Sequence, residues 1–187
     1  MEKIDHYDLL KHLYQPSAKA VSQVNVPPMN FIMIDGEGDP NTAQEYKDAL
    51  QALYSVAYTV KFMLKKGPLA VDFRVMPLEG LWWAEDMSDF LASNKANWKW
   101  TMMIMQPAPV TREIVEEGVK SASKKGLVSL HKVRFEMYDE GTSAQLMHIG
   151  PFSAEGPNIQ KVHAYIQERG PLRGRHHESY ISDINRA

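Results

Sequence analysis

The feature that most restricts how this chain can fold is a strand, turn and helix pattern that occurs twice. Asn30-Phe31-Ile32-Met33-Ile34-Asp35 is a short apolar run that ends at Gly36-Glu37-Gly38-Asp39-Pro40, which reads as a strand followed by a turn. Leu146-Met147-His148-Ile149 ends the same way at Gly150-Pro151, ahead of a helix with Pro157 in its first turn and Gly170-Pro171 at its end. Each half continues into further strand. Such a unit exposes an apolar sheet face that it cannot bury alone, so the two halves pair, and the concavity between them is a place for a ligand.

The rest of the chain fits this frame. Thr42-Ala43-Gln44-Glu45 has the spacing of a capping box and opens a helix running to about Lys66, before Gly67-Pro68. Tyr46, Leu50, Leu53, Ala57, Val60 and Leu64 make one apolar stripe on it, and Tyr54, Tyr58 and Phe62 a second, aromatic line. Strands are expected over Leu69–Met76, Leu78–Ala84 and Trp98–Gln106. Pro107 and Pro109 mark the midpoint, and Thr111 caps a helix with acidic residues early and lysines late, as the helix dipole favours. Asp139-Glu140-Gly141 reads as the turn of a hairpin between Leu130–Tyr138 and Thr142–Ile149, and the last strand covers about Arg175–Ser182. Residues 1–28 read as a leader of one or two helical turns punctuated by Pro16, Pro27 and Pro28. The fold class is α+β, with pseudo-symmetric modules over about 29–106 and 107–187.

Composition excludes several functions. The 187 residues carry a formal charge of −2 and no cysteine. A dedicated nucleic-acid surface needs a basic excess, and disulfides, thiolate nucleophiles and cysteine zinc sites need cysteine. The first residues are polar and no apolar stretch reaches the length of a membrane span, so no membrane partner is expected and the cytoplasm is the expected location. The turn at Gly36-Glu37-Gly38 fails as a phosphate loop, because Glu37 and Asp39 repel phosphate and no lysine follows. His176 and Glu178 lack a third ligand at metal spacing, so neither a metal nor another cofactor is expected.

All four tryptophans fall within Gly80-Leu81-Trp82-Trp83 and Trp98-Lys99-Trp100. Indoles from two neighbouring strands offer flat apolar faces, either as sheet core or as walls for a flat ligand. In the last strand His176, Glu178 and Tyr180 share one face while His177, Ser179 and Ile181 share the other.

Several of these motifs, taken in order, resemble the GyrI-like small-molecule-binding family, and in particular its stand-alone bacterial branch. They are Pro27-Pro28-Met29, Asp35-Gly36-Glu37-Gly38-Asp39-Pro40, Pro77-Leu78-Glu79-Gly80-Leu81-Trp82-Trp83, Trp100-Thr101-Met102-Met103-Ile104, Met147-His148-Ile149-Gly150-Pro151, and His176-His177-Glu178 with Tyr180 and Ser182-Asp183. The resemblance spans about residue 26 to the end. Members often continue further beyond the Ser-Asp element, whereas this sequence ends at Ala187. The resemblance implies two strand-helix-strand-strand modules around a ligand cleft. It also implies either multidrug binding or, as in some stand-alone members, hydrolysis of cyclopropane-bearing DNA alkylators.

On this reading Glu178 is the general base or countercharge, with its proton affinity raised by desolvation among indoles. Tyr180 orients it or donates to the oxygen where charge develops. A flat substrate is expected between Trp83 and Trp100, with Trp98, Tyr54 and Tyr58 nearby and His148 as a further polar contact. The alternative is a module that binds flat, apolar or cationic xenobiotics without turnover.

Overall fold

A computed structural model describes residues 2–85 and 94–182. Most of the excursion between the two tryptophan motifs, and Asp183 of the Ser-Asp element, lie outside the described residues. The first part of the chain runs through β1 (Glu2–Ile4), α1 (His6–Leu9), α2 (Lys11–Tyr14), β2 (Ser22–Val26) and β3 (Met29–Glu37). There follow α3 (Gln44–Lys66), β4 (Val71–Phe73), β5 (Leu78–Trp83) and β6 (Lys99–Gln106). The second half contains α4 (Arg112–Ala122), β7 (Arg134–Tyr138), β8 (Gly141–Gln145), α5 (Gly156–Gln167) and β9 (His176–Tyr180).

The main sheet has the order β7-β3-β6-β5-β9. Its centre is β6, where every residue from Trp100 to Gln106 is buried. A strand covered on both faces has no polar side to present, which is why this segment is a nearly continuous run of methionine and isoleucine. One face carries Ile32, Ile34, Leu78, Met102 and Ile104, and α3 covers it with Ala49, Leu53, Val56 and Val60. Small alanines at this contact let the helix approach closely. The second half supplies both edge strands, so the halves share one sheet.

Four sequence expectations change. The capping box does not form: α3 starts after Ala43 with no side-chain cap, and Glu45 instead pairs with Lys132. The aromatic line is only partly core: Tyr54 packs against the core, whereas Tyr58 and Phe62 are about half exposed, and the buried face of the helix is widened instead by Ala52 and Val56. The hairpin does not form either. β7 pairs with β3 while β8 leaves the main sheet and pairs with β2, so Gly141 (φ 70°) turns the chain between sheets. Residues 1–28 are built into the body: β1 pairs with β4, β2 with β8, and Tyr14 is 2 % exposed.

Two other expectations hold. Thr111 caps α4, its hydroxyl accepting from the Ile114 amide, and α3 ends before Gly67. No helix among the described residues is long and apolar enough to cross a membrane.

Candidate functional site

The register of three strands assembles the site. Gly80 of β5 lies opposite both Met102 of β6 and Glu178 of β9, and Trp82 lies opposite Trp100 and His176. Alternation therefore puts Trp82, Trp100, His176, Glu178 and Tyr180 on the face that α3 covers. The N-terminal part of α3 adds Tyr46, whose ring meets Trp82 at 6.1 Å and Trp100 edge-on at 5.3 Å. Trp98 meets Trp82 edge-on at 5.7 Å, with the Lys95 ammonium 5.2 Å from the Trp98 ring. The turn before α5 brings Phe152 edge-on to Tyr180 at 5.9 Å.

Glu178 is the polar centre of this aromatic surface. The Tyr180 hydroxyl donates to its Oε2 at 2.6 Å, His176 Nε2 donates to its Oε1 at 3.0 Å, and Trp82 Nε1 donates to the Tyr180 hydroxyl at 3.1 Å. The Glu178 side chain is 22 % exposed, so a small molecule or water can reach it. Burial opposes its charge, but hydrogen bonds from His176 and Tyr180 and the pull of His176 and His177 outweigh burial and hold it below the usual carboxylate range. The expected rise in proton affinity is thus reversed, because the sequence shows the indoles but not the donors. Tyr180 moves the other way: burial, then the Glu178 charge, push its hydroxyl well above the usual phenol value. At neutral pH the pair is a carboxylate held by a neutral phenol.

The reverse face of the same strands holds a second polar cluster. His177 donates from Nε2 to Glu79 and from Nδ1 to Glu140, both at 2.8 Å, and the Tyr14 hydroxyl donates to the other Glu79 oxygen at 2.7 Å. Burial alone would strip a proton from His177, yet hydrogen bonds and charge from Glu140 and Glu79 push it up to about 10. Glu79 is 2 % exposed and so out of reach of a ligand. Elsewhere, an apolar hollow of about 160 Å³ at the C-terminal end of α3, between Met63, Leu69 and Ile114, offers no charged group for chemistry.

A model of the GyrI-like small molecule binding domain matches residues 19–186. The chain belongs to the GyrI-like family. Three solved structures from Listeria innocua are similar to it. An uncharacterized conserved protein is 38% identical, covers 98% of this chain and 93% of its own, and superposes with a TM-score of 0.85. A protein described as a hydrolase is 35% identical over 98% of this chain and 92% of its own, with a TM-score of 0.83. Another described as a hydrolase is 38% identical over 100% of this chain and 93% of its own, with a TM-score of 0.85. No curated protein sequence matches the chain.

Within this GyrI-like domain the residues singled out from sequence separate into groups. Glu178 and Tyr180 come together, with Trp98 at the edge of the same aromatic cluster. Trp83 and Trp100 cannot sandwich a ligand, because Trp100 pairs with Trp82 and Trp83 points to the opposite face, where the Arg175 guanidinium covers its ring at 3.7 Å. Trp100 is wholly buried, a core residue and not a wall. Tyr54 is half-buried two turns beyond Tyr46 and electrostatically coupled to it. Tyr58 lies 12 residues beyond Tyr46, a helical rise of about 18 Å that takes it out of the cluster. His148 receives a hydrogen bond from Asn158 on Nδ1 and donates to the Pro151 carbonyl from Nε2, both at 3.0 Å. Both ring nitrogens are engaged in fixing the turn into α5.

Sequence reasoning missed Trp82, Tyr46, Phe152 and Glu155. Burial and then the nearby Glu178 charge raise the proton affinity of Glu155, against the pull of His176, His148 and Lys95. The signal for Trp82 was present in Gly80: a glycine two residues before an indole, on the same strand face, leaves that ring room to lie back along the strand. A Cβ at Gly80 would sit 2.7 Å from Trp82 Nε1 and 3.2 Å from Met102 Sδ. Gly80→Ala is therefore expected to push the buried Trp82 off Tyr180, lowering stability as overpacking does and weakening binding of a flat ligand through the loss of that hydrogen bond. Fluorescence quenching titrations beside urea unfolding check this; unchanged affinity would remove Trp82 placement from the binding argument.

Proposed function

We propose that this protein binds flat, strained xenobiotics against the part-exposed rings of Trp98 and Phe152 beside Glu178, with the buried Trp82 (4 % exposed) behind them, and hydrolyses them, with Glu178 activating water. The observation that carries the reading is the Trp82–Tyr180–Glu178 chain of hydrogen bonds, which presents an ionised, partly exposed carboxylate at the floor of an aromatic surface. The two Listeria relatives described as hydrolases support the reaction class.

In the proposed step Glu178 takes a proton from a bound water as the water oxygen bonds to a cyclopropane carbon. The ring C–C bond breaks, its electron pair passes into a conjugated carbonyl, and that oxygen takes a proton from solvent. Tyr180 uses its one proton to hold Glu178, so its role is to orient the carboxylate. Much of the rate comes from positioning, since the ring is already strained. A base with depressed proton affinity is a weaker base but is ionised throughout the neutral range, which suits a reaction whose barrier is already low.

The test is mass-spectrometric. Wild-type protein incubated with a cyclopropane-bearing alkylator should form the water adduct catalytically, above the uncatalysed rate. A carboxylate that is ionised across the neutral range among aromatic rings also suits a cation. Quenched tryptophan fluorescence with every test compound recovered unchanged would establish the second reading, sequestration without turnover.

A further inference from the structure

The strand that carries Glu178 ends the main sheet as described. Among the described residues β9 pairs with β5 alone, over five residues from His176 to Tyr180. Its sequence alternates His176, Glu178 and Tyr180 on the site face with His177 and Ser179 on the reverse. A slip of one residue would reverse every side chain, which backbone pairing penalises weakly in so short a strand. Something else must fix the register.

His177 meets that need. Both ring nitrogens lie 2.8 Å from carboxylate oxygens, Nε2 at Glu79 on β5 and Nδ1 at Glu140 between β7 and β8. An imidazole satisfies two carboxylates at once only when both nitrogens carry hydrogen, so the geometry itself specifies the imidazolium. Glu79 is fixed in turn by Tyr14 from α2, and the Tyr138 ring of β7 stands edge-on to His177 at 6.4 Å. A one-residue slip in one direction would put Glu178 where Glu79 and Glu140 converge, bringing three carboxylates together with no cation between them; the opposite slip would put His176 there, so the clamp discriminates strongly against the first slip only. Buried ionic groups serve best as such register devices.

We propose that His177, clamped between Glu79 and Glu140, is the positioning residue that holds Glu178 and Tyr180 toward the site and keeps a positive charge behind Glu178. This rests on the reading of Glu178 as the working carboxylate. The groups facing His177 are Glu79, Glu140, Tyr14 and Tyr138, with Arg175 acting on Tyr138. Those facing Glu178 are His176 and Tyr180 on its own strand, Tyr46 from α3 and Glu155 at the start of α5. Lys95 and His148 act on Glu155, and His163 of α5 on His176.

The experiment follows the Glu178 carboxyl by carbon NMR as a function of pH, assigned with Glu178→Gln, in wild type, His177→Gln and Glu140→Gln. It needs no substrate, so it stands whether or not the protein turns anything over. Removing the cation in His177→Gln should raise the Glu178 midpoint. Removing one anion in Glu140→Gln, with His177 still paired to Glu79, should lower it. If wild type shows turnover, the acid limb of its kcat/KM profile should move with the same signs. Shifts of opposite sign are not what loss of packing produces. A folded His177→Gln with an unmoved midpoint would overturn the proposal. If His177→Gln does not fold, a Glu140→Gln midpoint that stays put or rises would overturn it.

Discussion

Glu178→Gln is expected to lower kcat/KM for a strained-ring substrate by roughly 100- to 10,000-fold, the span of a single general base. Glutamine keeps the shape of the side chain and one acceptor oxygen in place of two, which can accept from His176 while its amide donates to the Tyr180 hydroxyl, so the aromatic surface and ligand affinity should survive. It cannot take the water proton. The pH profile of wild type sharpens the test. Because donors hold the Glu178 carboxyl below its usual range, the base form persists as pH falls and is lost only below the ordinary glutamate range. A rate constant across neutral pH that falls only in that acid region would match; a fall near neutrality would point to another group. Product formed equally by Glu178→Gln and wild type would leave an enzyme whose base lies elsewhere, with Glu155 the next carboxylate to test.

What could be read from the sequence follows interaction range. Elements with strong local signals are present: the Thr111 cap, the long helix ending before Gly67, the apolar run of β6. The shared face of Glu178 and Tyr180 was also legible, because a two-residue period survives any uncertainty in strand ends. Pairing between strands was not. Glu79 and His177 are 98 residues apart, His177 and Glu140 are 37 apart, and neither contact leaves a mark on local pattern. The choice between Trp82 and Trp83 failed for the same reason: parity within β5 is clear, but which parity matches Glu178 depends on its register with β9. The sign of the Glu178 shift was missed because burial can be guessed from neighbouring indoles, whereas two hydrogen-bond donors cannot. The turn at Gly36 was misplaced too. β3 continues to Glu37, and Gly36 lies within it, opposite Trp100, where the indole crosses its bare Cα.

That contact makes Trp100 the residue whose loss should most affect stability. Its side chain is wholly buried, its ring lies across Gly36, and Tyr46 packs on it edge-on. Trp100→Ala should cost about 3–5 kcal/mol in urea unfolding, the range for emptying a large buried aromatic site. This is a substantial part of the ~5–15 kcal/mol that a domain of ordinary stability has in total. A tryptophan lining an open site would behave differently, losing ligand affinity with little change in unfolding. Gly36→Ala tests the same contact from the other side. In the presence of Trp100 the new methyl collides with the ring and should cost about 1–3 kcal/mol, as overpacking does. In the absence of Trp100 the methyl enters the space the indole has left. The double variant should therefore lose less stability than the sum of the single variants, with a coupling of about 0.5 kcal/mol or more. Additive losses would mean that the two residues do not press on each other, and that Gly36 serves the backbone of β3 and not the ring above it.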